Sequence, residues 1–161
     1  MRIAVTICCL LLLAPACSRA SRPGPEILGV RLGMTREEAH ARLQTIAKLE
    51  KEERKQQEVW RLDGDPSYTH LMVAFDKEHA SVRYVTAVAN EQGRRVSYAE
   101  VMSLDGARLE STPASRTYVR EFPERAGRPG FIAKAIGADP TYLKYYSVER
   151  SDSEGEGEDE E

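Results

Sequence analysis

The stretch VRLGMTREEAHARL, residues 30–43, decides how this chain is built. It reads either as a ligand-binding loop opened by Gly33-Met34-Thr35, or as the capped start of a helix that covers a sheet. Thr35-Arg36-Glu37-Glu38 has capping-box spacing, in which the Thr35 hydroxyl accepts from the backbone N–H of Glu38 and the Glu38 carboxylate reaches back. Glu37 and Glu38 also stand where the positive end of a helix dipole favours anions. Met34 before the cap and Ala39 inside it can form a small hydrophobic staple, and Gly33 supplies the tight turn into the cap. Ala39, Leu43, Ile46 and Ala47 then recur along one stripe, the spacing of a core-facing helix. The cap-and-core reading is therefore the expectation. Beyond Leu49 the run EKEERKQQE, residues 50–58, is wholly polar and is expected as the solvated end of this helix or as a loop.

Strands follow. EVWRL (58–62) ends at the turn signal Asp63-Gly64-Asp65-Pro66, and YTHLMVAF (68–75) starts just beyond it. In the second run Leu71, Val73 and Phe75 face one way while Met72 and Ala74 face the other, so both sides are apolar and a central strand is expected. SVRYVTAVA (81–89) alternates Val82, Tyr84, Thr86 and Val88 against Val85, Ala87 and Ala89. SYAEVMSL (97–104) fits a short helix capped by Ser97 with Glu100 three residues on. ARLESTPAS (107–115) reads as loop, RTYVREF (116–122) as a strand ended by Pro123, and FIAKAI (131–136) as another. TYLKYYSV (141–148) closes the series, with Tyr142 and Tyr146 expected on one strand face and Tyr145 on the other with Leu143. The expected fold is α+β: one N-terminal helix, with a possible short second helix, on a mainly antiparallel sheet of about six strands. Helix–three strands–short helix–three strands is an echo in topology only, since the residues themselves do not repeat.

The ends of the chain differ from its middle. MRIAVTICCLLLLAPAC begins with Arg2, runs apolar from Ile3 to Leu13 and ends in Ala14-Pro15-Ala16, the layout of a secretory leader spanning 1–16. The apolar run falls short of the roughly 20 residues a bilayer span needs. All three cysteines, Cys8, Cys9 and Cys17, lie in or beside this leader, so residues 18–161 hold no thiol for a disulfide or a zinc site. Leu13-Ala14-Pro15-Ala16-Cys17 resembles a bacterial lipobox. Cys17 is accordingly expected as the lipid-attachment residue, with two or three acyl chains holding the protein to a membrane. The same bond would also be cut in a soluble secreted protein. Residues 17–26, rich in Ser, Pro and Gly, suit a flexible tether, and 27–150 form a single domain. SDSEGEGEDEE, residues 151–161, carries seven carboxylates; removing them from the net −3 leaves +4 for the rest. This acidic run is expected to be disordered, as a solubilising end or a contact for basic surface. A mildly basic, exported body makes nucleic acid an improbable partner.

At LGMTREEAHARL the chain resembles the SmpA/OmlA type of small envelope lipoprotein, through Gly33, Met34, Thr35, Glu37, Glu38 and Leu43, with Trp60 in the place of an aromatic near the start of the sheet. The resemblance covers roughly residues 27–90. It implies a fold like that of the beta-lactamase-inhibitor protein, with helices on antiparallel sheets, and scaffold or inhibitory roles rather than catalysis. Where that family breaks its helix at Leu-Gly, this chain has Leu43-Gln44.

Candidate chemistry is sparse. The histidines are His40 on the helix, His70 at a strand start and His79 in a turn beside Glu78. Asp76, Glu78 and His79 are donors a cation could accept, although such residues more often simply make a turn. Gly-X-Ser-X-Gly, a phosphate loop and His-Glu-X-X-His do not occur. No catalytic, cofactor or metal residue is therefore nominated. The expected role is an exported, lipid-anchored, non-catalytic envelope protein that binds another envelope protein as an interaction or scaffold module. The alternative is a secreted small-ligand binder or hydrolase working from the sheet face.

Overall fold

The computed structural model describes residues 25–53, 56–125 and 129–151. The leader, Cys17, most of the tether and the acidic run from residue 152 lie outside the described residues.

Strands β1 (Glu26–Ile27) and β2 (Val30–Arg31) form a small antiparallel hairpin. Its turn residues Leu28 and Gly29 both have positive φ, 51° and 84°, as a tight hairpin turn matched to strand twist requires. Arg42 locks this turn to the helix that follows, its Nε donating to the Leu28 carbonyl at 2.9 Å. Helix α1 (Arg36–Leu43) starts at the predicted capping box: Glu38 N–H donates to Thr35 Oγ1 at 3.2 Å, and Thr35 N–H donates to Glu38 Oε2 at 3.0 Å. Ala39 and Leu43 are buried, as the stripe predicted.

The stripe stops there. The Thr45 hydroxyl donates to the Arg42 carbonyl at 2.7 Å and closes the helix end, so Ile46 lies in a turn and Ala47 opens β3 (Ala47–Glu53). Residues 50–53 of the run expected as a polar helix end or loop thus belong to an edge strand, and 57–58 open the next one. Among the described residues β3 pairs only with β4 (Gln57–Leu62), and its central side chains are exposed. An edge strand needs backbone pairing but little apolar surface, and charge on it discourages further pairing. Hydropathy therefore could not reveal it.

Beyond β4 come β5 (Tyr68–Phe75) and β6 (Val82–Ala89), then the one-turn helix α2 (Tyr98–Val101), then β7 (Arg108–Thr112), β8 (Ser115–Phe122), β9 (Phe131–Gly137) and β10 (Tyr145–Arg150). β3 to β10 form one antiparallel sheet in the order β3-β4-β5-β6-β10-β9-β8-β7. The expectation of about six strands is corrected to eight plus the small hairpin. The additions are β3 and β7, and the expected loop 107–115 is mostly β7 and its turn into β8. β7 is exposed at every residue, so it too carries no apolar alternation. In β6 the register steps from Ala74↔Tyr84 to Phe75↔Val82 across Arg83. That bulge sends Val82 into the core with Val85, Ala87 and Ala89 rather than out with Tyr84.

Helices and hairpin lie on one face of the sheet. There Leu71, Val73, Phe75, Val85, Ala87 and Val148 pack against Val30, Ala39, Leu43 and Tyr98. Fully burying a side chain such as Leu43 contributes about 1.5–3 kcal/mol.

The two halves of the sheet are related by an approximate two-fold axis through the β6–β10 seam, where Thr86 Oγ1 donates to Ser147 Oγ at 2.9 Å. Equivalent hydrogen bonds hold each helix start. Arg36 N–H donates to the Ala80 carbonyl (2.9 Å) as Tyr98 N–H does to Thr141 (3.4 Å). Val82 N–H donates to Met34 (2.8 Å) as Leu143 N–H does to Val96 (3.0 Å). Glu100 accepts from Ser97 N–H as Glu38 does from Thr35. The topological echo is a structural repeat carried by backbone geometry, with few shared side chains.

Candidate functional site

Two regions gather polar chemistry: a charged knot beneath α1, and the sheet face that the helices leave uncovered.

The knot centres on Glu58, 1% exposed in the middle of the β4 pairing. His40 reaches it from α1, with Nε2 2.9 Å from both carboxylate oxygens. Trp60 Nε1 donates to Oε2 at 2.9 Å, and Arg36 Nη1 lies 3.4 Å from Oε1. Arg36 also spans to Glu52 at 3.5 Å and lays its guanidinium 4.3 Å over the Phe75 ring. The His40 ring stands 5.4 Å from Trp60, tilted, and edge-on to Phe75 at 6.1 Å. Alternation on β4 places Glu58, Trp60 and Leu62 on the helix-facing side, so an acid falls where the pattern calls for an aliphatic residue. Burying a carboxylate is tolerable only when it is paired and fully hydrogen-bonded. Both Glu58 oxygens are engaged by protein donors. A general base needs a carboxylate or imidazole aimed at a reacting proton, whereas these groups are aimed at one another. The knot is a clamp between α1 and the sheet. Sequence reasoning named His40 but passed over Glu58; the acid at an inward position of an alternating strand was the available signal.

His70 and His79 stand apart from that knot. His70 Nε2 is 3.1 Å from Glu50 on the uncovered side of the sheet edge. His79 Nδ1 is 3.2 Å from Asp76 Oδ1, which also accepts the backbone N–H groups of Glu78 (2.8 Å) and His79 (2.9 Å). Those backbone donors chiefly hold the Asp76 carboxyl below its ordinary range. The Asp76-Glu78-His79 group thus makes a turn, with its shared oxygen already occupied. Among the described residues no three or more His, Cys, Asp or Glu side chains gather as a cation site. Nor, among them, is any helix long and apolar enough to cross a membrane.

The C-terminal tyrosines separate. Tyr142 precedes β10, bridges to Ser97 and lies 3.9 Å beneath the Arg95 guanidinium, so it does not share a strand face with Tyr146. Tyr146 faces the helices, where burial pushes its hydroxyl above the ordinary range. Tyr145 lies on the uncovered face near Lys144.

The register fixes that uncovered face. One row runs Val59–Met72–Thr86–Ser147–Lys134–Val119, and the next includes His70, Val88, Tyr145, Ile136 and Thr117. On the other side stand Gln57, Ala74, Tyr84, Glu149 and Ile132. Ala74, Val119 and Ile132 are shielded by their neighbours, but Val59, Met72, Tyr84, Val88, Ile136 and Tyr145 are only half-buried. Charge of both signs is interleaved, with Lys134 paired to Glu149 and Lys51 to Glu53. Tyr84 donates to Gln57, and burial raises its hydroxyl above the ordinary range. Towards β7 the surface dips into a hollow of about 830 Å³ lined by Arg108, Thr117, Val119, Ile132 and Lys134 among others. The face thus combines half-buried apolar and aromatic groups with paired charges.

Compared with family models, curated proteins and solved structures, the chain matches none.

Proposed function

We propose that this chain is a non-catalytic interaction module of the bacterial cell envelope, exported by its leader, lipid-anchored through Cys17, and binding another envelope protein through the uncovered sheet face. The observation that carries the binding part is the half-buried band Val59, Met72, Val88, Ile136 and Tyr145, which no described helix covers. The saturated Glu58 knot supports a non-catalytic role, because the best-placed acid and imidazole are committed to each other. Membership of the SmpA/OmlA type belongs to the same proposal, supported by a capped helix leading into an antiparallel meander.

Photo-crosslinkers at Met72, Val88 and Tyr145, compared in intact cells with controls at Lys77 and Asp105 on the surface loops, test the binding face. A discrete adduct from the first set and none from the controls is expected. Equal labelling from both sets would sink the proposal. Fractionation of wild type and Cys17→Ala tests the anchor separately: membrane association should be lost in the variant.

A further inference from the structure

We propose that β7 is a self-complementary edge through which two copies of the chain join their sheets, antiparallel and centred on Leu109. β7 ends the sheet order, and among the described residues no strand pairs with its outer side. Its five residues pair with β8 without a register break, so the outer side offers a straight row of backbone donors and acceptors. Leu109 is 46% exposed, one of two large apolar side chains exposed to that degree among the described residues.

The sequence around it fits a two-fold contact, in which each residue meets its mirror across the axis. With Leu109 facing Leu109 of the second copy, Arg108 faces Glu110, and Glu110 faces Arg108. Each opposed pair is then attractive, and the exposed leucines cover one another. Neighbouring registers do worse. Centring on Glu110 opposes two carboxylates, and centring on Ser111 sets Leu109 against Pro113, which has no N–H to give.

The other edge, β3, is the internal control. Lys48-Leu49-Glu50 has a similar composition, and Leu49 is 48% exposed. There the register breaks between Leu49 and Lys51, a bulge that spoils a straight pairing edge. Existing ion pairs do not separate the two edges, since Glu50 is held to His70 (3.1 Å) and Lys48 to Asp63 (2.9 Å), while Arg108 pairs with Glu110 of its own strand and with Glu121 (3.9 Å); the unbroken register of β7 does. The geometry therefore selects β7 over β3.

Sedimentation equilibrium on the full chain tests this. Wild type is expected to dimerise, Leu109→Lys to weaken the dimer at least tenfold, and Leu49→Lys to leave it unchanged. Arg108→Glu and Glu110→Arg should each weaken it, and the double swap should restore it, since the opposed signs return. Circular dichroism of each variant separates loss of dimer from loss of fold. In a background with Cys8, Cys9 and Cys17 replaced by Ser, Leu109→Cys should form an inter-chain disulfide on mild oxidation, because directly opposed strand residues lie within bridging distance. A wild-type monomer at about 100 μM, within the affinity range expected of weak interfaces, would overturn the proposal. So would a dimer indifferent to Leu109→Lys, or one broken by Leu49→Lys.

Discussion

Arg36 and Tyr98 occupy equivalent places in the two halves of the sheet. Arg36 opens α1, lies over Phe75 and pairs with Glu58. Tyr98 opens α2, reaches Gly137 and packs against Tyr118 at 4.9 Å. One half fills the space under its helix with an ion pair on a ring; the other uses two tilted tyrosine rings, with the Tyr98 hydroxyl beside Gly137. The backbone bonds are shared, and the chemistry beneath each helix has been exchanged wholesale.

Glu58→Ala should destabilise the protein by about 3 kcal/mol, because it leaves Arg36, His40 and the Trp60 N–H without their buried acceptor. Urea unfolding reads the loss directly. Trp60 is the single tryptophan, so its fluorescence should change in the folded variant. A loss below about 1 kcal/mol would mean that the knot contributes no more than a surface ion pair.

Gly137→Ala should cost about 1–3 kcal/mol by overpacking. An added Cβ would sit 2.7 Å from both the Tyr142 carbonyl oxygen and the Tyr98 hydroxyl. Adding Tyr98→Phe should recover only part of that loss, since the Tyr142 backbone cannot move aside. Full recovery in thermal unfolding would show that the hydroxyl alone made the site tight.

Thr35→Ala should cost about 1 kcal/mol by removing the acceptor for the Glu38 N–H. Glu38→Gln should cost less, because an amide oxygen still accepts from Thr35 N–H. Reversing that order in denaturant titrations would place the main contribution in the Glu38 charge.

Asp139 predicts a pH dependence. Its carboxylate accepts from Thr141 and Tyr142 N–H and pairs with Arg95, and these contacts hold its pKa below the ordinary 3.8. The folded state therefore binds a proton less readily than the unfolded chain. The contribution is fully present above pH 3.8 and is lost as pH falls through the lower, folded value. Asp139→Asn should lower the plateau near neutrality and flatten the acid limb of a stability–pH curve, so that variant and wild type converge at low pH. An unchanged acid limb would remove Asp139 from the account.

What was legible in the sequence had local causes. The α1 cap was legible because Thr35 and Glu38 are three residues apart, and β5 because Leu71, Val73 and Phe75 alternate beside a turn. The helix length was not, since Ile46 and Ala47 continue a helical stripe that Thr45 cuts. β3 and β7 were invisible because edge strands such as Ala47–Glu53 are defined by a neighbour's backbone, and most of their side chains face solvent. The knot stayed hidden for a related reason. His40 and Glu58 meet only when α1 folds down on β4, and no spacing rule connects residues so far apart. The leader and Cys17, on which export and anchoring rest, lie outside the described residues, as does the acidic run from residue 152.

The adjacency of β6 and β10 carries a consequence for synthesis. The first four sheet strands form a meander of near neighbours and can assemble as they emerge, but the flank of β6 stays open until β10, Tyr145–Arg150, is made. During that interval a nascent chain displays a bare Val-Ala ribbon able to capture a neighbour. Ribosomal pausing or truncation before residue 145 should therefore produce aggregates out of proportion to the few residues missing.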